Sequence, residues 1–293
     1  MNKYVDHVYL INMDKDKDRL ITVTNYCNEL NIKFERFSGI DPKKLSQKEK
    51  NEYLSKFNQF FMPYGIIGCA YSHIYIWLDA IKNNYKNILI LEDDIILKKD
   101  NFLKNFKNAY NELPNNYDMF FIGYKNNDNE INNNFKYIYQ PKKIFYETHS
   151  YIISLKGCKK LLNIIKNDKI NKPIDHIIPN NKHLLNIYLI KNILTYQDRN
   201  YESNITPYYF SYLNYSNYRY GINEYIFRIG DYHFNKLDIL FLIFSLIINL
   251  TFSSNTSYII SIIILLFIIY NKIYISVLCY IIGIIISLFI KNK

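Results

Sequence analysis

Glu92, Asp93 and Asp94 interrupt an apolar run in NILILEDDIILKK, residues 87–99. Three adjacent carboxylates repel one another, and burying them without a counter-charge is costly or forces protonation. Acids are ordinary in loops and at helix starts, where Asp caps the helix and complements its dipole. Here ILIL precedes the triplet and IIL follows it, so the acids sit at the end of a buried strand rather than in a solvated loop. A divalent cation removes the conflict. Mg²⁺ and Mn²⁺ take oxygen ligands, with one or two carboxylates holding the ion while substrate phosphates fill other positions. If the backbone stays extended, Glu92 and Asp94 point the same way and Asp93 points oppositely, free to bond a sugar or the backbone.

The elements that must position these acids read as α/β. HVYLIN (7–12) is a buried strand, followed by a polar, helix-compatible segment from Asp16 to Leu30. KFERFSGI is a second strand ending near Gly39, and SQKE (Ser46–Glu49) is a capping box opening a helix to about Phe57. In GIIGCAYSHIYIWLDAIKNN, Ala70, His73, Ile74, Trp77, Leu78 and Ile81 recur at helical spacing. NILIL and YDMFFIGY (117–124) are strands, and HSYIISLKGCKKLLNII is a strand passing into a helix at Ser154. Strands alternating with helices predict a mainly parallel sheet with flanking helices, in which ligands bind at the carboxyl ends of strands. The acidic triplet lies at such an end.

The chain has 293 residues and a formal net charge of +10, but its lysines form no compact block, so no nucleic-acid partner is expected. Cys27, Cys69, Cys158 and Cys279 include no CxxC pair, which argues against a disulfide framework or a zinc site and for a reducing compartment. The start has no apolar segment suited to a signal peptide. After Lys236 the composition turns apolar in runs at 237–252, 258–270 and 273–290. These predict two or three transmembrane helices, with Arg228 and Lys236 keeping the large N-terminal part on the cytosolic side. The expected organisation is a catalytic domain at 1–210, a juxtamembrane linker at 211–236 and a membrane anchor at 237–290.

Four segments carry a resemblance to glycosyltransferase family 25, the lipopolysaccharide/lipooligosaccharide and procollagen galactosyltransferase-like group. VYLINMDKDKDRL is similar to the family's opening strand and following Arg. GIIGCAYSHIYIWLDAI is similar to its G-C-x-x-S-H helix with a downstream Trp. ILILEDDIIL matches its acidic motif, and THSYIISLKGCKKLL its Tyr-x-Ile-Ser…Gly strand and helix. KPIDHII and YQDRNYESNI match weaker downstream patterns, and the resemblance spans roughly residues 5–206. Leu20, Ser150 and His176 depart from the family's usual residues, which bears on the acceptor more than on the donor. The resemblance implies a GT-A fold, a UDP-sugar donor carrying galactose or glucose, a metal cofactor (Mn²⁺ or Mg²⁺), and inversion at the anomeric carbon.

On that reading Asp94 holds the metal, with Glu92 direct or through water, and Asp93 positions the donor. Asn12 and Arg19 are candidates for the nucleotide and diphosphate, since a guanidinium grips phosphate bidentately; a solvated helix Arg is the alternative. Ser72, His73 and His149 are donor-site candidates, each with a core role as the alternative, and Trp77 reads as core. Asp175 is the candidate general base because Pro173 breaks the preceding helix and starts a new element there; an N-cap Asp is the alternative. The expected function is a membrane-tethered hexosyltransferase acting on a glycan, lipid-linked or protein hydroxyl. Two other readings are an inactive glycosyltransferase-like scaffold and a two-metal phosphohydrolase. UDP-sugar turnover separates the first, and the single dense acid cluster argues against the second.

Overall fold

The computed structural model describes residues 1–126, 134–198, 225–230, 232–252, 257, 259–265 and 274–291. The larger part of the expected linker, the end of YQDRNYESNI, and residues 258 and 266–273 of the last two apolar runs and the break between them lie outside these residues. The chain divides into two compact units, Met1–Gln59 with Tyr64–Tyr201, and Phe60–Pro63 with Glu202–Lys293.

In the first unit the elements follow the chain as β1 (His7–Asn12), α1 (Lys17–Glu29), β2 (Glu35–Ser38), α2 (Gln47–Tyr53), α3 (Lys56–Phe61, which runs into the second unit), α4 (Tyr64–Lys82), β3 (Asn87–Glu92), β4 (Ile95–Leu97), α5 (Phe102–Glu112) and β5 (Met119–Phe121). Next come β6 (Lys125–Asn126), β7 (Ile138–Tyr139), β8 (Phe145–Tyr146), β9 (Ser150–Ser154), α6 (Leu155–Asp168), α7 (Ile174–Asn180), β10 (Ile187–Ile190) and β11 (Thr195–Gln197). Seven strands form one sheet in the order β2-β1-β3-β9-β5-β10-β7. The pairings β1–β2, β1–β3 and β5–β10 are parallel, while β9 and β7 run against their neighbours. Five strands therefore share one direction, and the sheet is mainly parallel with β9 inserted against it. The register sets Ile11 beside Glu92, so β1 and β3 end at the same edge. A two-stranded ladder of β4 with β11 continues past that edge and pairs Gln197 with Ile95.

Apolar side chains explain these strands. Leu89, Ile90 and Leu91 of β3 and Tyr151, Ile152 and Ile153 of β9 are almost wholly buried, as expected for strands covered on both faces. Ser154 caps α6 by accepting a hydrogen bond from the Gly157 amide at 3.0 Å. The capping box at Ser46 and Glu49 is present, but its helix stops at Tyr53. Leu54 takes an extended conformation (φ −120°, ψ 140°) and α3 starts anew. Along α4, His73, Ile74 and Trp77 are buried while Leu78 is 39 % exposed. Tyr71, Ser72 and Ile76 are buried as well, so the covered face is broader than the apolar spacing suggests and is turned away from Leu78.

In the second unit β12 (Tyr225–Ile229) and β13 (Tyr232–Asn235) form an antiparallel pair. Helices follow at Lys236–Thr251 and Tyr274–Lys291. The expectation of C-terminal transmembrane helices is overturned: among the described residues no helix is long and apolar enough to cross a membrane. The first of these helices has 16 residues, about 24 Å at 1.5 Å per residue, short of the roughly 17–25 residues that cross a hydrocarbon core. The membrane anchor and the membrane location inferred from it fall together. Part of the apolar surface packs helix against helix. Tyr280 is fully buried against Phe241, Val277 and Ile284, and a Cβ at Gly283 would sit 1.7 Å from Ser245 Oγ. The first helix opens with a polar capping box, Asn235 with Asp238.

Candidate functional site

Extended backbone ends at Glu92, and Asp93 and Asp94 form the turn between β3 and β4. The strict alternation of side chains therefore lapses within the triplet, and each acid turns to a different element. Glu92 Oε1 lies 3.3 Å from His73 Nε2 of α4 and accepts a hydrogen bond from Thr148 Oγ1 at 3.2 Å. Asp93 Oδ2 accepts from Asn12 Nδ2 at 2.6 Å, and its Oδ1 pairs with Arg19 Nη1 at 3.2 Å. Asp94 Oδ2 accepts from Gln197 Nε2 of β11 at 2.8 Å, whereas its Oδ1 is buried without a hydrogen-bond partner.

These environments separate the acids. For Glu92, burial favours the neutral form, but the hydrogen bond with His73, the electrostatic influence of the His73 and His149 rings and the Thr148 bond outweigh it and hold the carboxyl below its usual range. Burial raises Asp93, and its bonds to Asn12 and Arg19 only partly offset this. Burial and then the charge of Glu92 push Asp94 up to about 7, against the opposing Gln197 bond.

Arg19 is buried on Asp93. Asn12 also donates to the Asp16 carbonyl and accepts from Arg36 Nε at 2.9 Å. Ser72 accepts from the Ile40 amide at 2.9 Å and donates to the Gly68 carbonyl at 2.7 Å. That ties α4 to the segment after β2, where a Cβ at Gly68 would meet Ile40 O at 2.7 Å. His73 Nδ1 lies 2.8 Å from the Tyr151 hydroxyl, which also accepts from Trp77 Nε1 at 3.1 Å. His149 Nε2 is 3.3 Å from the Thr195 carbonyl, and its main-chain oxygen accepts from the Glu92 amide at 2.9 Å. Burial lowers the His149 pKa, with the charge of Glu92 opposing.

Asp175 is inside the first turn of α7. Pro173 holds the N-cap position, so Asp175 is not the N-cap residue. Burial and the charge of Glu92 raise its pKa, against His176 and a hydrogen bond from the Glu147 amide. Burial, and then the charges of Glu92, Asp175 and Asp94, raise the pKa of the partly buried Cys69 thiol. Cys69, His73 and Glu92 bring ligating atoms within 4.8 Å of one another, a convergence that the missing CxxC pair does not reveal.

The structure thus brings His73 onto Glu92, and Asn12 and Arg19 onto Asp93, while Asp94 meets Gln197, Ser72 ties α4 to Ile40, His149 meets Thr195 and Asp175 lies in the first turn of α7. It also adds Arg36, Thr148, Tyr151, Thr195 and Gln197. Thr148 and Tyr151 stand in the motif segment THSYIISLKGCKKLL and Gln197 in YQDRNYESNI, but the contacts these residues make depend on distant pairings. Gly123 is another: a Cβ there would lie 1.9 Å from Thr195 Oγ1 and 2.2 Å from His149 Nε2.

Comparison with known proteins bears on this arrangement. The sequence profile described as glycosyltransferase family 25 (LPS biosynthesis protein) matches residues 5–178. A glycosyltransferase 25 family member of Aedes aegypti is 27 % identical over 199 residues, covering 61 % of this chain and 30 % of that protein. A Haemophilus influenzae protein named as a glycosyltransferase is 28 % identical over 192 residues, covering 61 % of this chain and 64 % of its own length. Human procollagen galactosyltransferase 2 is 25 % identical over 200 residues, 61 % of this chain and 31 % of that protein. Each match thus takes in less than two thirds of the relative. Among solved structures, a glycosyltransferase involved in glycosylation of the major capsid of PBCV-1 aligns over 67 % of this chain and 94 % of its own, with TM-score 0.38 and 9 % identity.

Proposed function

The chain belongs to glycosyltransferase family 25, and from that premise we propose that it transfers galactose or glucose from a UDP-sugar to an acceptor hydroxyl, inverting the anomeric centre. The observation that carries this reading is the acidic triplet at the carboxyl edge of β1 and β3. Its members are held apart in charge state and orientation.

The donor set fits a hard divalent cation. Asp94 Oδ1 is a buried oxygen without a hydrogen-bond partner, and the neighbouring Glu92 charge is what a cation would relieve. Asp94 and Glu92 would hold Mn²⁺ or Mg²⁺, all-oxygen ligands suited to either ion. When bound, the ion supplies positive charge against the negative charge developing on the leaving diphosphate. Asp93 is tied to Asn12 and Arg19, so this group positions the donor from the other side of the turn.

The acceptor hydroxyl is a weak nucleophile and needs a base. We assign this role to Asp175, whose upward shift brings it nearer the operating pH, where a general base works best. The acceptor oxygen bonds to the anomeric carbon, the bond from that carbon to the UDP oxygen breaks, and Asp175 takes the hydroxyl proton. One displacement inverts the centre. Asp175→Asn should lower kcat while leaving donor binding nearly unchanged, because a base acts in the transition state.

The test is UDP release from UDP-galactose and UDP-glucose, with and without Mn²⁺, with the anomeric configuration of the transferred sugar read by NMR. Turnover of one donor with inversion supports the reading. Binding without any turnover would make the chain a donor-binding module, and a retained configuration would remove Asp175 as the base.

A further inference from the structure

Trp77 looks like packing: it is fully buried in the middle of α4. Its indole nitrogen, however, makes a specific contact. Trp77 Nε1–H can only donate, and it donates to the Tyr151 hydroxyl at 3.1 Å. Tyr151 is itself fully buried, so its own hydroxyl proton needs an acceptor there. His73 Nδ1, 2.8 Å away, is the ring nitrogen placed to accept it. A ring nitrogen that accepts carries no proton, so the proton of the neutral imidazole sits on Nε2 and faces Glu92 Oε1 at 3.3 Å. A ring protonated at both nitrogens would leave the Tyr151 proton without a partner.

We infer that Trp77 is a positioning residue: through Tyr151 it fixes His73 as the Nε2–H tautomer, which pins Glu92 by Oε1. The step rests on the proposed donor site only for its consequence, not for its geometry. Thr148 Oγ1 donates to the same Oε1, so both side-chain hydrogen bonds to Glu92 fall on one oxygen. The other, Oε2, is the atom offered to a cation or donor. The relay links α4 and β3, consecutive in the chain, with β9, which is far from both in sequence. It also weighs against an alternative for this cluster. Cys69, His73 and Glu92 bring ligating atoms within 4.8 Å, but a thiophilic cation taking His73 Nε2 needs a lone pair there, which is the opposite tautomer.

The chain contains one Trp, so growth with 3-benzothienylalanine in place of tryptophan changes position 77 alone. That analogue keeps the bicyclic ring and lacks the N–H. The full chain, labelled with ¹⁵N-histidine, is read by long-range ¹H–¹⁵N NMR, with His73 assigned as the signal missing from His73→Gln. The native chain should show His73 with a proton on Nε2 and none on Nδ1. The analogue and Tyr151→Phe should both lose that single tautomer. With UDP-sugar turnover as readout, the apparent Mn²⁺ affinity should weaken about two- to tenfold in the analogue, the worth of one ordinary hydrogen bond.

An unchanged His73 spectrum in the analogue makes Trp77 a packing residue and overturns the inference. So does a proton on Nδ1 in the native chain, with or without added Zn²⁺. If the chain turns over no UDP-sugar, the proposed function fails while the NMR result still decides the relay.

Discussion

Gly123→Ala tests the close approach that brings β11 to the triplet. The new Cβ would lie 1.9 Å from Thr195 Oγ1, 2.2 Å from His149 Nε2 and 2.7 Å from the Thr195 carbonyl oxygen. Thr195 can rotate its hydroxyl away, so the shortest of these contacts is the cheapest to relieve. The other two are not. His149 is 1 % exposed and the third atom is backbone, so the methyl must displace a buried ring and a strand. Overpacking of this kind typically costs about 1–3 kcal/mol, and two rigid neighbours put the expectation at the top of that range, about 3 kcal/mol. The displacement carries to the site, because the His149 carbonyl accepts the Glu92 amide. Urea unfolding measures the stability loss, and UDP-sugar turnover measures the second effect. Adding Thr195→Ala removes only the hydroxyl contact, so it should restore less than half of the lost stability. A loss below about 0.5 kcal/mol for Gly123→Ala, within the range of an ordinary surface substitution, would refute the reasoning, as would full rescue by Thr195→Ala.

Two further predictions concern stability. Asp118 is fully buried, pairs with Lys160 and accepts the Asn186 amide at 2.8 Å. Asp118→Ala should therefore cost about 1–3 kcal/mol in urea unfolding, chiefly because the Asn186 amide loses its acceptor while Lys160 stays 32 % exposed, and a cost under about 0.5 kcal/mol would count against it. Glu49 has its carboxyl held down at about 2 by the Ser46 hydroxyl, then by Tyr75 and the Ser46 amide. A carboxyl depressed in the fold stabilises above its unfolded pKa of about 4.5, and that contribution is lost as pH falls toward 2. The Tm gap between the native chain and Glu49→Ala should thus be full at pH 6 and shrink steadily below pH 4.5; a gap independent of pH contradicts the assignment.

The parts of this fold that depend on local pattern were legible in the sequence. The run HVYLIN is β1, NILIL is β3 and Ser154 does cap α6. Legibility falls where a partner is distant. Gln197 meets Asp94 across 103 residues, and Tyr151 meets His73 across 78, contacts that no periodicity encodes. YDMFFIGY shortens to Met119–Phe121 as a strand because its ends serve other purposes. Asp118 goes to Lys160, and Gly123 admits Thr195 and His149. The apolar tail shows a different limit: hydropathy reports composition, whereas crossing a bilayer also requires helix length.

The central claim is that Asp94 makes donor binding depend on a divalent cation. Titration calorimetry of UDP, with and without Mn²⁺, on the native chain and on Asp94→Asn measures this most directly. The account predicts that Mn²⁺ tightens UDP binding to the native chain by at least about tenfold, some 1.4 kcal/mol, and leaves the folded Asp94→Asn chain unaffected. An equal Mn²⁺ response in both chains would contradict it.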